Sequence, residues 1–341
     1  MGMYISQLWS AGNLLRLLLL FIFFTSFVAC QQKQAEVSGL SEKITIAYPE
    51  SVYSVLFAVA YSKGFFKAEG LEVVPQPHEF GKIAFQSMFE GKAEMAISGE
   101  TIVMFAVVRG GKINIIAESM TSKRNVAIVA RKDRGIKTPH DLEGKHIGVA
   151  LGTTGHFFLD SFLSVNGIRK DKVKLINMNP SEMMNALNKS VVEAVAVWQP
   201  VIKQLERQLG DKGVVFYDER IYSDIVCISA SHDFVKKHPK VVMKILIALI
   251  RAEAFVKENP EETRRLAAVF LKIDKTIFDE IWNTLYFKVT LEQSLLVSLE
   301  DQTRWAQENK LVESRETPKY LDYIYFNGLQ SVKPDAVNII R

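Results

Sequence analysis

The feature that most limits how this chain can fold is a steady alternation of short apolar runs with longer amphipathic ones, beginning at Lys43. Lys43–Tyr48 reads as a strand and Val52–Lys67 has the 3.6-residue rhythm of a helix. Leu71–Pro75, Met95–Ser98 and Ile113–Glu118 read as further strands, separated by helices over Lys82–Glu90 and Thr101–Arg109. A helix between successive strands supplies the long connection that parallel neighbours need, so the pattern predicts an α/β fold with a parallel sheet.

The alternation restarts at Asn125–Arg131. It continues through Lys145–Ala150, a helix Phe157–Asn166, a strand Lys172–Asn177, a helix Ser181–Lys189, a strand Ala194–Trp198 and a helix Gln199–Leu209. A second count of strands after a charged, Pro-containing stretch at Lys132–Glu143 predicts a second α/β lobe. From Ser231 onward the pattern turns to helices over Phe234–Glu258, Glu261–Lys272, Lys275–Thr284 and Leu291–Glu308. The aromatic cluster Tyr320, Tyr323, Tyr325 and Phe326 reads as packing of the last helix.

The front of the chain is different. Residues 1–29 hold 20 apolar residues and a single charge, Arg16, and the chain turns polar at Gln31–Gln34. An apolar core about a dozen residues long, preceded by a cation and closed by small residues, has the layout of a secretory signal. An uncleaved anchor is the alternative, against which stands a length short of the roughly 20 residues a spanning helix needs. Phe27-Val28-Ala29-Cys30 resembles a bacterial lipobox, with Phe27 where that pattern prefers Leu, which implies lipid attachment at Cys30 and membrane tethering.

Only two cysteines, Cys30 and Cys227, occur among 341 residues, so a disulfide framework and a thiolate zinc site are excluded. Cys227 lies in an apolar strand-like run and reads as a buried small hydrophobe. The six histidines include no pair at ligand spacing, so no metal is expected. A net charge of +4, with no basic stripe carrying interleaved aromatics, argues against nucleic acid. No phosphate loop, dinucleotide fingerprint or nucleophile with its base can be assembled, so neither cofactor nor catalysis is expected.

Five blocks now carry a resemblance. Ala60-Tyr61-Ser62-Lys63-Gly64-Phe65-Phe66-Lys67-Ala68-Glu69-Gly70-Leu71 is the first, and Glu90-Gly91-Lys92-Ala93-Glu94-Met95-Ala96 the second. Asp141-Leu142-Glu143-Gly144-Lys145-His146-Ile147-Gly148-Val149 with the Gly152–Gly155 loop is the third. Val192–Pro200 and His238-Pro239 before a long helix complete the set. In this order they resemble the substrate-binding proteins of ABC importers for nitrate, sulfonates, taurine and thiamine precursors. The resemblance implies a periplasmic-binding-protein fold of the second type: two α/β lobes, two crossovers, and a ligand clamped between them. It implies a first lobe over 42–122, a second over 123–232, and helices over 233–341 completing the first, behind a signal at 1–29 and a linker at 30–41.

In open α/β sheets ligands gather at the carboxyl ends of strands, where helix N-termini present free N–H groups. The residues following the first-lobe strands are Glu50, Ser51 and Tyr53, then Glu79, then Ser98, Gly99 and Glu100, then Glu118. In the second lobe they are Thr153, Thr154, Gly155 and His156, then Trp198 and Gln199. The Gly152–His156 loop allows close backbone approach and aims a helix N-terminus at an anionic or strongly hydrogen-bonding group; a plain turn capped by Thr154 is the alternative. Trp198 offers a flat face to an organic ligand, or is a core tryptophan between the lobes. Glu50, Glu79, Glu100 and Glu118 together favour an ammonium, amidine or ring N–H over a bare anion such as nitrate.

The function implied is capture of a small polar organic molecule, sulfonate- or taurine-like or thiamine-precursor-like, by an exported monomer that delivers it to an importer's permease and ATPase. A lipid-anchored sensor of the same fold is an alternative. A pyrimidine-synthase-like enzyme is another, set aside because that group carries clustered cysteines.

Overall fold

The computed structural model describes residues 42–341, so the expected signal, linker and Cys30 lie outside the described residues. Eleven strands form two sheets. They are β1 Glu42–Pro49, β2 Leu71–His78, β3 Met95–Gly99, β4 Ile113–Ser122, β5 Val126–Arg131, β6 His146–Val149, β7 Lys174–Asn177, β8 Ala194–Trp198, β9 Gly213–Phe216, β10 Asp224–Ser231 and β11 Tyr286–Thr290. The first sheet has the order β11-β4-β10-β3-β1-β2 and the second β7-β6-β8-β5-β9. The expected two-lobed α/β fold is therefore present.

Within each lobe β1, β2 and β3 run parallel, as do β6, β7 and β8. The innermost strands are buried along their whole length, as β3 and β8 are, which is why they read as continuous apolar runs rather than alternating ones. β10 lies antiparallel to both β3 and β4, and β5 lies antiparallel to β8. The chain passes between sheets twice, at residues 123–125 and 217–223.

The second passage moves a boundary. Residues 224–231, expected in a second lobe extending to 232, belong to the first sheet as β10. The stretch expected to be purely helical also contributes β11 to the edge of that sheet. An apolar strand reads the same in either sheet, so periodicity does not say which one it joins. The expected helix Val52–Lys67 is divided into a turn at Val52–Ser54, a helix at Val55–Ser62 and a short one at Phe65–Ala68. Gly64, at φ +71°, makes the break in a region that other residues avoid.

The expected long helix from Phe234 is likewise two, His232–Lys237 and Pro239–Glu258, because Pro239 lacks the N–H that would continue the first. Its Val242, Ile245, Leu246, Leu249, Ala252 and Val256 fall at helical spacing and are buried in the first-lobe core. Burial of the valine, isoleucine and leucine side chains among them stabilises by about 1.5–3 kcal/mol each. The second lobe has its own core around β5, β6 and β8, closed by Phe158, Phe162 and Ile202.

Candidate functional site

The carboxyl ends of β1 and β3 meet the start of β10 at a buried polar cluster. Ser51, 3 % exposed, accepts from the backbone N–H of Tyr53 at 3.4 Å and fixes the turn that carries this tyrosine. The Tyr53 hydroxyl donates to both carboxylate oxygens of Asp224, at 2.8 and 2.7 Å. Asn125 Nδ2 donates to the same carboxylate at 2.6 Å. Since Asn125 ends the first crossover and Asp224 immediately follows the second, as the first residue of β10, this bond ties the two connections side by side.

Glu100 opens the helix Glu100–Val108 and is fully buried. It accepts from the Tyr222 hydroxyl, from Gln302 Nε2 at 2.7 Å, from Ser298 Oγ at 3.2 Å and from the backbone N–H of Ile225 at 3.2 Å. Burial, with the charge of Asp224 second, holds its carboxyl pKa far above the ordinary carboxylate range. Burial raises Asp224 as well, against the hydrogen bonds from Tyr53 and Asn125. Two close carboxyls in an apolar setting resist ionising together, so the pair retains a proton at pH values where exposed carboxyls have lost theirs. Burial lifts the phenols of Tyr53 and Tyr222 too, which keeps both as donors.

The second lobe presses on this cluster through the turn that opens the helix Thr154–Val165. Gly99 is required here: a Cβ on it would come 2.8 Å from the Thr154 methyl and 3.3 Å from the Tyr53 hydroxyl. Thr153 is buried and donates to the Ala150 carbonyl at 2.7 Å. Gly155 lets the helix approach β8, since a Cβ there would sit 3.1 Å from the Ala196 carbonyl oxygen. Further bridges between the lobes are Lys82 Nζ to the Leu151 carbonyl at 2.9 Å and Phe80 against Trp198 with ring centroids 6.1 Å apart.

The expected residues are thus divided. Ser51, Tyr53, Gly99, Glu100 and Thr154 meet at the cluster. Ser98 is fully buried beside them, and its hydroxyl has no hydrogen-bond partner. Trp198 is buried in the second-lobe core with one face toward Phe80. Gln199 donates its backbone N–H to the Asn125 carbonyl at 2.9 Å and its side chain to Tyr217 at 3.3 Å.

Four residues lie elsewhere. Glu50 pairs with Lys272 at 2.6 Å. Glu79 is exposed and accepts from the backbone N–H of Ser181 at 3.0 Å, at the N-terminus of a second-lobe helix. Glu118 is not at a strand end, because β4 runs on to Ser122. Its Oε1 accepts from the Glu292 N–H at 2.6 Å, and burial pushes its pKa to about 8. His156 turns from the cluster toward Trp305, its Nδ1 accepting from Gly152 N–H at 3.3 Å, and burial lowers its pKa.

Asn125, Tyr222, Asp224, Ser298 and Gln302 are additions that reading after strands did not find. Asp224 and Asn125 immediately precede or begin apolar strands. Because β10 and β5 run antiparallel to their neighbours, their starting ends share an edge with the carboxyl ends of the parallel strands. Polar residues before each strand were the available signal.

A family model described as NMT1/THI5 like matches residues 51–263. A protein of Brucella abortus (strain 2308) named as a binding protein is 28% identical over 224 residues, 64% of this chain and 68% of the relative. The taurine-binding periplasmic protein of Escherichia coli (strain K12) is 25% identical over 227 residues, again 64% and 68%. The solved periplasmic aliphatic sulphonate binding protein SsuA of Escherichia coli superposes with a TM-score of 0.71 at 17% identity, covering 84% of this chain and 98% of that one, a likeness of fold. With its sequence blocks in order, two sheets joined by two crossovers and more than half its length matched, the chain belongs to the NMT1/THI5-like family.

Proposed function

We propose that this protein is an extracytoplasmic substrate-binding protein that captures a small organic ligand bearing an ammonium, amidine or ring N–H and hands it to an ABC importer's permease and ATPase. A taurine-like zwitterion and a thiamine-precursor-like pyrimidine are the two ligand types that fit. The observation that carries the reading is the Glu100–Asp224 pair, buried where both crossovers meet the first lobe and held by Tyr53, Tyr222 and Asn125. A carboxyl pair that shares one retained proton still carries a negative charge, so it repels a bare anion and stabilises a cation or N–H donor. Asn125 Oδ1, buried without a partner, supplies a further acceptor for such a donor.

The sequence names of the relatives support binding rather than catalysis. Cys227 is fully buried and its thiol pKa is pushed well up by burial, which disfavours a thiolate nucleophile. Capture needs no chemical step, because a ligand that prefers the closed lobes shifts the population by its differential affinity. Tethering through Cys30 and action as a monomer complete the reading; metabolic labelling with a radioactive fatty acid, lost in Cys30→Ala, checks the tether.

Thermal-shift titration tests the ligand class. Stabilisation by taurine or an aminopyrimidine is expected. Stabilisation by nitrate or ethanesulfonate, with none from amines or pyrimidines, contradicts the proposal.

A further inference from the structure

The edge of the first sheet opposite the polar cluster carries unbalanced positive charge. β1, β3 and β4 begin at this edge, and β10, antiparallel to β3 and β4, ends there. Lys112 immediately precedes β4, and its carbonyl accepts from the N–H of His232, where the helix His232–Lys237 follows β10, at 3.0 Å. Lys236 stands one turn along that helix from His232, whose ring meets Asn114 at 3.0 Å. Lys240 stands one turn before Lys244 on the helix Pro239–Glu258, and Lys244 reaches Glu42, the first residue of β1, at 2.7 Å.

The acids at this edge are already answered. Glu42 pairs with Lys244, Glu69 pairs with Arg251 at 3.3 Å, Asp233 lies 3.9 Å from Lys237, and Glu72 stands opposite Lys43 in the register of β1 and β2. Lys112, Lys236 and Lys240 are exposed and have no ion pair among the described residues. The chain leading back to Cys30 joins the fold at this same edge, through Glu42. An extended chain gains at most about 3.6 Å per residue, so Glu42 lies within about 43 Å of Cys30.

We propose that this edge of the first lobe docks on the anionic phospholipid surface of the membrane that holds the chain, with Lys112, Lys236 and Lys240 against the headgroups. The proposal rests on tethering through Cys30, which keeps the lysines near the bilayer at high effective concentration. Each lysine at an anionic surface strengthens attachment roughly fivefold, and one acyl anchor gains most from such a second signal. Docking in this way turns the Glu100–Asp224 cluster, at the opposite edge of the sheet, away from the bilayer and toward incoming ligand.

Amine acetylation of the full-length protein on vesicles, read lysine by lysine by mass spectrometry, tests this. Lys112, Lys236 and Lys240 should label at least about threefold more slowly on vesicles containing phosphatidylglycerol than on pure phosphatidylcholine. Salt at about 0.5 M should abolish the difference by screening. Lys189, exposed in the second lobe, should label alike on both. In the double variant Lys236→Glu, Lys240→Glu, whose fold circular dichroism checks, Lys112 should lose its protection. Equal labelling of the three lysines on both vesicles, protection that survives salt, equal protection of Lys189, or unchanged protection of Lys112 in the double variant overturns the proposal. Flotation with pure phosphatidylcholine vesicles reports the tether alone. A chain that floats there without lysine protection keeps the tether and overturns the docking surface. A chain that floats only with phosphatidylglycerol, and only with its lysines intact, overturns the tether and keeps the surface; one that floats with neither overturns both.

Discussion

The two sides of the helix Glu100–Val108 hold opposite chemistry. On one, Glu100 is sealed among Tyr222, Gln302 and Asp224; on the other, Arg109 and Lys82 border an apolar cavity. Helix electrostatics account for part of the division, since a carboxylate is favoured at the N-terminal end and a cation at the C-terminal end. Trp305 stands between the two. Its ring lies 5.9 Å from Phe105 on the cavity side and 5.2 Å from Phe157, which in turn lies 5.2 Å from Tyr222. A net charge of +4 therefore conceals local groupings of opposite sign, the buried Glu100 and Asp224 on one side and Lys82 and Arg109 on the other, and only their placement in the fold separates them.

Removing the partition should have the largest effect. Trp305→Ala deletes the ring contacts and the Nε1 hydrogen bond to Asp160 at 2.9 Å, and should destabilise the protein by about 3–5 kcal/mol in urea unfolding. Asp224→Asn comes next: it removes a buried charge that the ligand would pair with, and should weaken an amine ligand by on the order of 100-fold, within the roughly 2–5 kcal/mol of such losses. Gly99→Ala drives a methyl into Thr154 and should cost about 1–3 kcal/mol of overpacking, read as weaker ligand binding and a larger radius by X-ray scattering. Thr154→Ser in the same chain removes the opposing methyl and should restore most of it.

A pH series sharpens the contrast further. Folding raises the carboxyl pKa values of Glu100 and Asp224, so the folded state holds protons the unfolded chain has released. Their contribution to stability is therefore greatest below the unfolded pKa, near 4, and is lost as pH rises through the raised folded values. An ammonium ligand favours the ionised pair, so its affinity should rise across the same interval, as titration at pH 6 and 8 would record. The smallest effect is expected for Arg109→Ala, an exposed residue without an ion pair, whose unfolding free energy should stay within about 0.5 kcal/mol of the parent.

The two lobes were legible because strand and helix periodicities differ and because the second series restarts at Asn125. Strand membership was not, since the apolar run at 224–231 reads alike wherever it pairs. Among site residues, Tyr53, Glu100 and Thr154 follow parallel strands and were found by that rule. Asp224 and Asn125 were missed because their strands run the other way. Gln302 and Ser298 lie one helical turn apart on a late helix, and only tertiary packing brings them to Glu100. Glu50 and Glu79 stand at strand ends as expected, yet Lys272 and the N–H of Ser181 hold them there, neither of which is close in sequence.

The central claim is that the Glu100–Asp224 cluster receives the cationic or N–H-bearing part of the ligand. Calorimetric titration of the protein and its Asp224→Asn variant with taurine, an aminopyrimidine and ethanesulfonate tests it most directly. The account predicts that taurine or the aminopyrimidine binds and loses about 100-fold in the variant, as expected when a buried charged partner is removed, while ethanesulfonate gives no heat at the acidic cluster. Ethanesulfonate binding as tightly as the amine-bearing ligands, with affinity unchanged or improved in Asp224→Asn, would contradict it.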